Sequence, residues 1–297
     1  MGHHHDHGHH HHHHGGDNLK LAFFLNLGFT ILEIFGGLYV NSVAIISDAV
    51  HDLGDSLSLG TAWYLEGKSK QEADAKYSFG YARFSLLGAL INSLVLILGS
   101  VFVIKEAIER LQHPEPANAQ GMIIFALIGV AVNGFAAYKL MGGNSLNERV
   151  VSLHLMEDVL GWVAVLVAAI VLYFVYIPWL DPALSLAITA FILWGVVKRL
   201  RETLYLFLQG TPRDVDLQQI ENQLISINKV DSLHHTHLWS LQGEEHVFTS
   251  HVKLEPLDST TELLNVKNAI KTILEQYGFA HYTIETELAN EECKFCP

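Results

Sequence analysis

The run SVAIISDAVHDLGDSLSLGTAWYL, residues 42–65, is apolar at both ends yet carries His51 and Asp55 four residues apart. VVSLHLMEDVLGWVAVLVAAIVLYFVYIPW, residues 150–179, repeats the spacing with His154 and Asp158. Ionisable side chains are costly in hydrocarbon, so in a membrane span they turn toward the interior of a helix bundle and find partners there. Residues four apart share one face of a helix, so each run presents an imidazole and a carboxylate together. Helices that carry such pairs must pack against one another, and that requirement constrains the fold more than any other feature of the chain.

Length and composition agree with a membrane chain. Half of the 297 residues are hydrophobic and only 16% are charged, against about 25% in a typical soluble domain. Six apolar segments, roughly residues 19–40, 42–65, 84–107, 121–140, 150–176 and 180–200, each approach the ~20 residues that a spanning helix requires. An even number of spans leaves both termini on one side. Lys20, Lys68, Lys139, Arg149, Lys198 and Arg201 flank the ends on that side, whereas the other has little beyond Lys105 and Arg110. The positive-inside rule then places both termini in the cytoplasm. The N-terminus shows no basic stretch leading into a short apolar region, so the first apolar segment is expected to remain. The formal net charge of −13, with no basic stripe, argues against nucleic acid as a partner.

Composition changes after about residue 205, and Pro212 marks the break into a soluble domain. Leu217, Ile220, Leu224 and Ile227 recur at helical spacing, HHTHLWSL and HVFTSHVKL read as strands joined at Gln242–Gly243, residues 260–277 form a second amphipathic helix, and HYTIETEL closes as a strand. The order α-β-β-α-β describes a small α/β sandwich. The whole chain divides into a His-rich disordered tail at 1–17, a six-helix transmembrane domain at 18–207, the soluble domain at 208–290 and a CxxC tail at 291–297.

Brought face to face, the two pairs give a site of two imidazoles and two carboxylates, His51, Asp55, His154 and Asp158. That donor set suits a tetrahedral divalent ion, zinc first, with cobalt, cadmium or iron(II) behind it. Magnesium and calcium call for an all-oxygen shell that these four do not offer. The plainer alternative is a pair of interhelical hydrogen-bond contacts, and the recurrence of the pattern in two runs favours ligation. Glu157 lies about 100° around the helix from Asp158 and serves either at the metal or at a wet or helical contact. Glu33, Asp48 and Asp52 are open in the same way. Asn92 and Asn133 read as hydrogen-bonding residues between helices.

SDAVHDLGDS, YSFGYARFSLLGALIN, SLHLMEDVLGW, HLWSL and HYTIETE together resemble the cation diffusion facilitator family, over residues 18–288. The resemblance implies a homodimer of six-helix protomers with a cytoplasmic, ferredoxin-like metal-binding domain, exporting zinc or a similar divalent ion against protons by alternating access. It also implies the inner membrane of a bacterium, a substrate ion and no cofactor. The family's transport ligands fall on His51, Asp55, His154 and Asp158. Because a metal must displace the imidazole proton to bind, the same residues can carry protons back, with His51 and His154 in the main role.

In the soluble domain the family's regulatory zinc ligands fall on His235, His237 and His251, with Glu285 and Glu287 on the last strand. Strand alternation puts His235 and His237 on one face. The loop EGKSKQEADAKYSFGYAR has no histidine, so the interfacial metal site that some members carry there is expected to be missing or weak. Arg83 is expected to pair with Asp214 or Asp216, or with a lipid headgroup. Cys293 and Cys296, reduced on the cytoplasmic side, form either half of a zinc site or a mobile tail. The opening MGHHHDHGHHHHHHGG is either a native metal-gathering tail or an affinity tag. Two rivals to transport are an intramembrane zinc enzyme and a membrane metal sensor. No HExxH motif is present, and four protein ligands would close the open position that a catalytic zinc needs, so the chain is not expected to be an enzyme.

Overall fold

The structure, a computed structural model, describes residues 14–69, 73–141 and 146–291; within the helices, the side chains of 14–22, 59, 62–63, 65–69, 139–141 and 146–154 lie outside the description. The chain divides into two compact units, one from residues 1–67 and 88–200 and one from 68–87 and 201–297.

Long helices dominate the first unit: α1 (His14–Val40), α2 (Val43–Ser69), α3 (Phe84–Gln112), α4 (Ala119–Met141), α5 (Leu146–Phe174) and α6 (Leu180–Phe207). Five of them, α1 and α3 to α6, are long and apolar enough to cross a membrane. The sixth segment expected to span, α2, is not among them over its described residues, whose side chains run unbroken only from 43 to 58; Asp48, His51, Asp52 and Asp55 all fall within that stretch. Large apolar side chains point outward, with Leu98 at 62% exposure and Trp194 at 78%. A surface of that kind belongs against lipid, where α-helices satisfy their own backbone polar groups.

Between the helices, contacts follow small residues and polar pairs rather than apolar burial alone. A Cβ on Gly129 of α4 would stand 2.2 Å from the Trp162 ring of α5, so the ring rests directly on the backbone. Gly54 of α2 sits likewise under Leu96 of α3, at 2.4 Å. Val40, Ala44, Ile45, Met122, Ala126, Val165 and Ala169 complete the apolar packing around Trp162. The polar pairs include Ser47 Oγ with Thr189 Oγ1 at 2.8 Å, and Asn26 Nδ2, which donates to Ser56 Oγ and to the Asp52 carbonyl, each at 3.0 Å. Asn92 donates to Ser58 Oγ, the interhelical role expected of it. Asn133 Nδ2 is buried with no hydrogen-bond partner among the described residues.

Asn41, at φ 57, makes the turn from α1 into α2, a left-handed conformation that asparagine tolerates better than most residues. The buried N–H groups at the start of α2, which have no partner within the helix, are met by Asp181 at the start of α6. Its carboxylate, 2% exposed, accepts from Ser42 Oγ at 2.5 Å, Val43 N at 2.7 Å and Ala44 N at 3.4 Å. A buried anion at a helix N-terminus satisfies orphan donors and complements the helix dipole.

The second unit holds α7 (Leu217–Ile225), β1 (Val230–Ser240), β2 (His246–Leu254), α8 (Thr260–Glu275) and β3 (His281–Glu287). Asp216 caps α7 by accepting from Gln219 N, and Ser259 caps α8 by accepting from Glu262 N. The sheet order is β1-β2-β3, with β1 antiparallel to β2 and β3 parallel to it. Parallel pairing requires a crossover, which α8 supplies. Ile220, Leu224, Phe248, Val252, Val266, Ile270 and Leu274 bury one face of the sheet under the two helices, each large side chain contributing roughly 1.5–3 kcal/mol.

Residues 73–83 belong to this unit. Asp74 organises them, accepting from Lys76 N, Tyr77 N and the Tyr81 hydroxyl at 2.7–2.9 Å. Those donors hold its carboxyl below the usual range. Gly80, at φ 72, allows the turn that follows, and the Phe79 ring meets Trp239 and His281 edge-on.

Asp181→Ala should lower the thermal midpoint of the detergent-solubilised protein, by an amount equivalent to roughly 1–2 kcal/mol for a lost helix cap. Asp181→Asn, which keeps one acceptor, should fall between; an unchanged midpoint for the alanine variant would show that the cap is replaceable.

Candidate metal centre

On α2, His51 and Asp55 stand one turn apart, and α5 brings Asp158 to them. The His51 Nε2 atom lies 3.6 Å from Asp55 Oδ2 and 3.6 Å from Asp158 Oδ1. Side-chain exposures of 14%, 23% and 8% put all three in the interior. A tetrahedral zinc with donors at about 2.0–2.1 Å separates them by roughly 3.3–3.4 Å, close to each of the two His51–carboxylate distances, although the three are not among the described groups whose donor atoms all lie within 4.8 Å of one another. His154 stands one turn before Asp158 on α5, and its side chain lies outside the described residues. Three of the four residues expected at the site are therefore together, and the placement of the fourth side chain is not described.

Beside them is a cavity of about 530 Å³, lined by Asp48, His51, Glu157, Asp158, Trp194 and Arg199 among others. Glu157 is exposed and borders this space, on a different side of α5 from the buried Asp158. Gly161 leaves ordinary space, its Cβ position 3.7 Å from Asp48 Oδ1, and is not a point of close helix contact.

A further group had no clear assignment in the sequence. Glu33 of α1 joins Asp48 and Asp52 of α2, with one oxygen of each within 4.8 Å of the others. The i,i+4 spacing of Asp48 and Asp52 was a usable signal. Glu33 carried only the oddity of an acid in an apolar run.

In the second unit the metal-capable group is His234, His251 and Glu287. Glu287 Oε1 lies 2.8 Å from His251 Nδ1 and 3.1 Å from His234 Nε2. Glu285 Oε2 reaches 3.6 Å from His251 Nε2 while remaining 66% exposed. Simple alternation pointed to His235 and His237, but β1 carries a bulge between His234 and His237, and His235 sits at φ 51. The extra residue shifts the pleat, so His234, opposite His251, joins the group instead. His235 and His237 lie ring to ring with centroids 4.6 Å apart, and His235 is 5.2 Å from His251.

The other histidines of this unit have separate partners. His246 Nε2 is 3.2 Å from Asp214 Oδ2, a contact that holds the Asp214 carboxyl below its ordinary range. His281 Nε2 lies 3.2 Å from Thr283 Oγ1. Asp214 and Asp216, expected as partners of Arg83, are thus engaged with His246 and with the α7 cap. Cys293, Cys296 and the histidine tract of residues 1–13 lie outside the described residues.

Residues 19–208 match the family model of the cation efflux transmembrane domain, and residues 212–289 match that of the cation efflux protein cytoplasmic domain. Among curated relatives, the cadmium, cobalt and zinc/H(+)-K(+) antiporter of Bacillus subtilis is 33% identical over 92% of this chain and 90% of its own. The metal cation efflux system protein CzcD of Cupriavidus metallidurans is 34% identical, over 92% and 86%. The zinc transporter ZitB of Pectobacterium atrosepticum is 31% identical, over 93% and 88%. With apolar helices long enough to cross a bilayer and both domains matched along nearly the whole chain, this is an integral membrane protein of the cation diffusion facilitator family of metal cation efflux transporters.

Proposed function

We propose that the protein exports zinc, with cadmium and cobalt as further substrates, in exchange for protons. The observation that carries this reading is the approach of the half-buried His51 and Asp55 and the buried Asp158 from two helices, with His51 3.6 Å from each carboxylate. His154 supplies the fourth ligand. Relatives named as cadmium, cobalt and zinc antiporters and as zinc transporters support both the ions and the exchange. Their names as transporters and antiporters also point away from an enzyme.

Metal entering the cavity beside Asp158 displaces protons from the imidazoles, because ligation requires the neutral ring. The carboxylates of Asp55 and Asp158 supply the negative charge that makes a divalent ion favourable in an otherwise apolar bundle. When the helices rock so that the site faces the opposite side, protons compete for the same nitrogens and release the ion. A site of four good ligands held rigidly would release slowly, so transport depends on the shell opening as α2 and α5 separate.

In this reading α2 is the sixth span, with its acidic face shielded by neighbouring helices. Both termini lie in the cytoplasm of a bacterial cell, and the protein resides in the inner membrane as a homodimer. The unit from α7 to β3 is the ferredoxin-like cytoplasmic domain, and His234, His251 and Glu287, with Glu285 near, hold a regulatory zinc. The domain limits are 18–207 for transport and 208–290 for regulation, with the histidine tail gathering metal and Cys293 and Cys296 as soft donors at the other end. In the loop before α3, Asp74 already accepts three hydrogen bonds, which makes it a poor interfacial metal ligand.

In proteoliposomes with an internal pH dye, zinc should drive proton flux through the native chain, and Asp158→Ala should reduce it by about a hundredfold or more, given that changes beyond the ligand shell alone cost 10–100-fold. Flux unchanged in that variant would remove Asp158 from the ion's path. For the regulatory group, His251→Ala should abolish one zinc-binding equivalent by calorimetry while leaving flux at saturating zinc within about twofold. Retention of the full binding stoichiometry would place the regulatory ion elsewhere.

A further inference from the structure

Glu33, Asp48 and Asp52 take no part in the exchange just described, yet they are among the most buried charged residues of the chain. Glu33 is 0% exposed, Asp48 5% and Asp52 4%. Glu33 lies within hydrogen-bond reach of Asp52 but receives no hydrogen bond from a described residue outside the group, and Asp48 Oδ2 has no partner among the described residues. An acceptor buried without a donor is costly, and a group of three is costlier. A cation held between the three carboxylates would offset that cost for all of them at once.

The geometry suits an ion. Three oxygens no more than 4.8 Å apart share a centre at most about 2.8 Å from each, and small rotations bring that to the 2.0–2.6 Å of hard divalent cations bound by oxygen. Asp48 also lines the 530 Å³ cavity that borders His51 and Asp158, so an ion and its waters have a route to the group. The donor set contains no nitrogen or sulfur, which distinguishes it from the His51 group. Oxygen-only sites favour magnesium- or manganese-like ions over zinc.

We propose that Glu33, Asp48 and Asp52 form a second cation site within the membrane unit, oxygen-only and selective for hard divalent ions, beside the His51–Asp55–Asp158 group. Such an ion would neutralise the α1–α2 carboxylates and fix α1 against α2, through the same interface that Asn26 bridges to Ser56. The binding claim does not depend on the direction or coupling of transport.

Manganese(II) provides the probe, because its free ion gives a sharp paramagnetic resonance signal that disappears on binding. The full chain in lipid nanodiscs, carrying His251→Ala to silence the soluble group, would be titrated alongside the same protein with Glu33→Gln, Asp48→Asn or Asp158→Ala added. Glu33→Gln and Asp48→Asn should each weaken one manganese equivalent by at least tenfold, while Asp158→Ala retains it. Size-exclusion profiles and far-ultraviolet dichroism matching the parent establish that each variant is folded, and Asp52→Asn replaces any that is not. Uptake by the Glu33→Gln protein equal to that of the parent, as when the three acids simply hold protons, would overturn the proposal. Loss of the same equivalent in Asp158→Ala would also overturn it, by merging the two groups into one site.

Discussion

Charge inside an apolar bundle must be matched locally, and the membrane unit is organised around meeting that demand. The α2 helix carries four ionisable side chains in two turns, Asp48, His51, Asp52 and Asp55, and could not stand in hydrocarbon by itself. Its neighbours answer it face by face. Asp158 of α5 meets His51, Asn26 of α1 meets the Asp52 carbonyl and Ser56, Thr189 of α6 meets Ser47, and Asp181 of α6 caps the helix where it begins. Glycines and alanines set the distance at which these contacts form. The polar interior and the close packing are therefore one requirement, because each contact needs the helices near enough to exclude lipid.

Much of this was legible in the sequence because it rests on local periodicity. Two HxxxD runs reveal a face shared by two helices, and the apolar lengths of α1 and α3 to α6 reveal spans without any knowledge of packing. Helix α2 shows the limit of that approach. The residues that make it interesting, Asp48, His51, Asp52 and Asp55, are also the ones that lower its hydropathy, so the features that mark the site blur the mark of the span. Glu33 marks a second limit, since its neighbours come from a different helix and only the packed bundle shows them to be Asp48 and Asp52. In the soluble unit, element order followed from turn residues and period, including the return strand HYTIETE. The ligand group did not, because a single bulged residue at φ 51 cannot be read from alternation.

The two histidine–carboxylate groups differ in how their positions are held. In the helical unit, the donors come from α2 and α5, whose relative placement depends on side-chain contacts that can be exchanged for others. On the sheet, His234, His251 and Glu287 are fixed by backbone pairing, with His234 opposite His251 on adjacent antiparallel strands and Glu287 on β3 two positions beyond Glu285, the residue opposite His251. Backbone ladders do not slide by fractions of a residue. A group built on them has a fixed shape, as the proposed regulatory role requires, whereas a group shared between helices can open, as the proposed transport role requires.

The bulge in β1 has a consequence for how this chain tolerates change. The stretch from His234 to His237 offers three imidazoles in four positions, and the kink chooses which of them faces Glu287. Removing one residue there would straighten the pleat and hand the place to a neighbouring ring of the same chemistry. A shift of one step from His234 thus brings up His235, another imidazole, so the donor type at that place does not rest on a single residue of the strand.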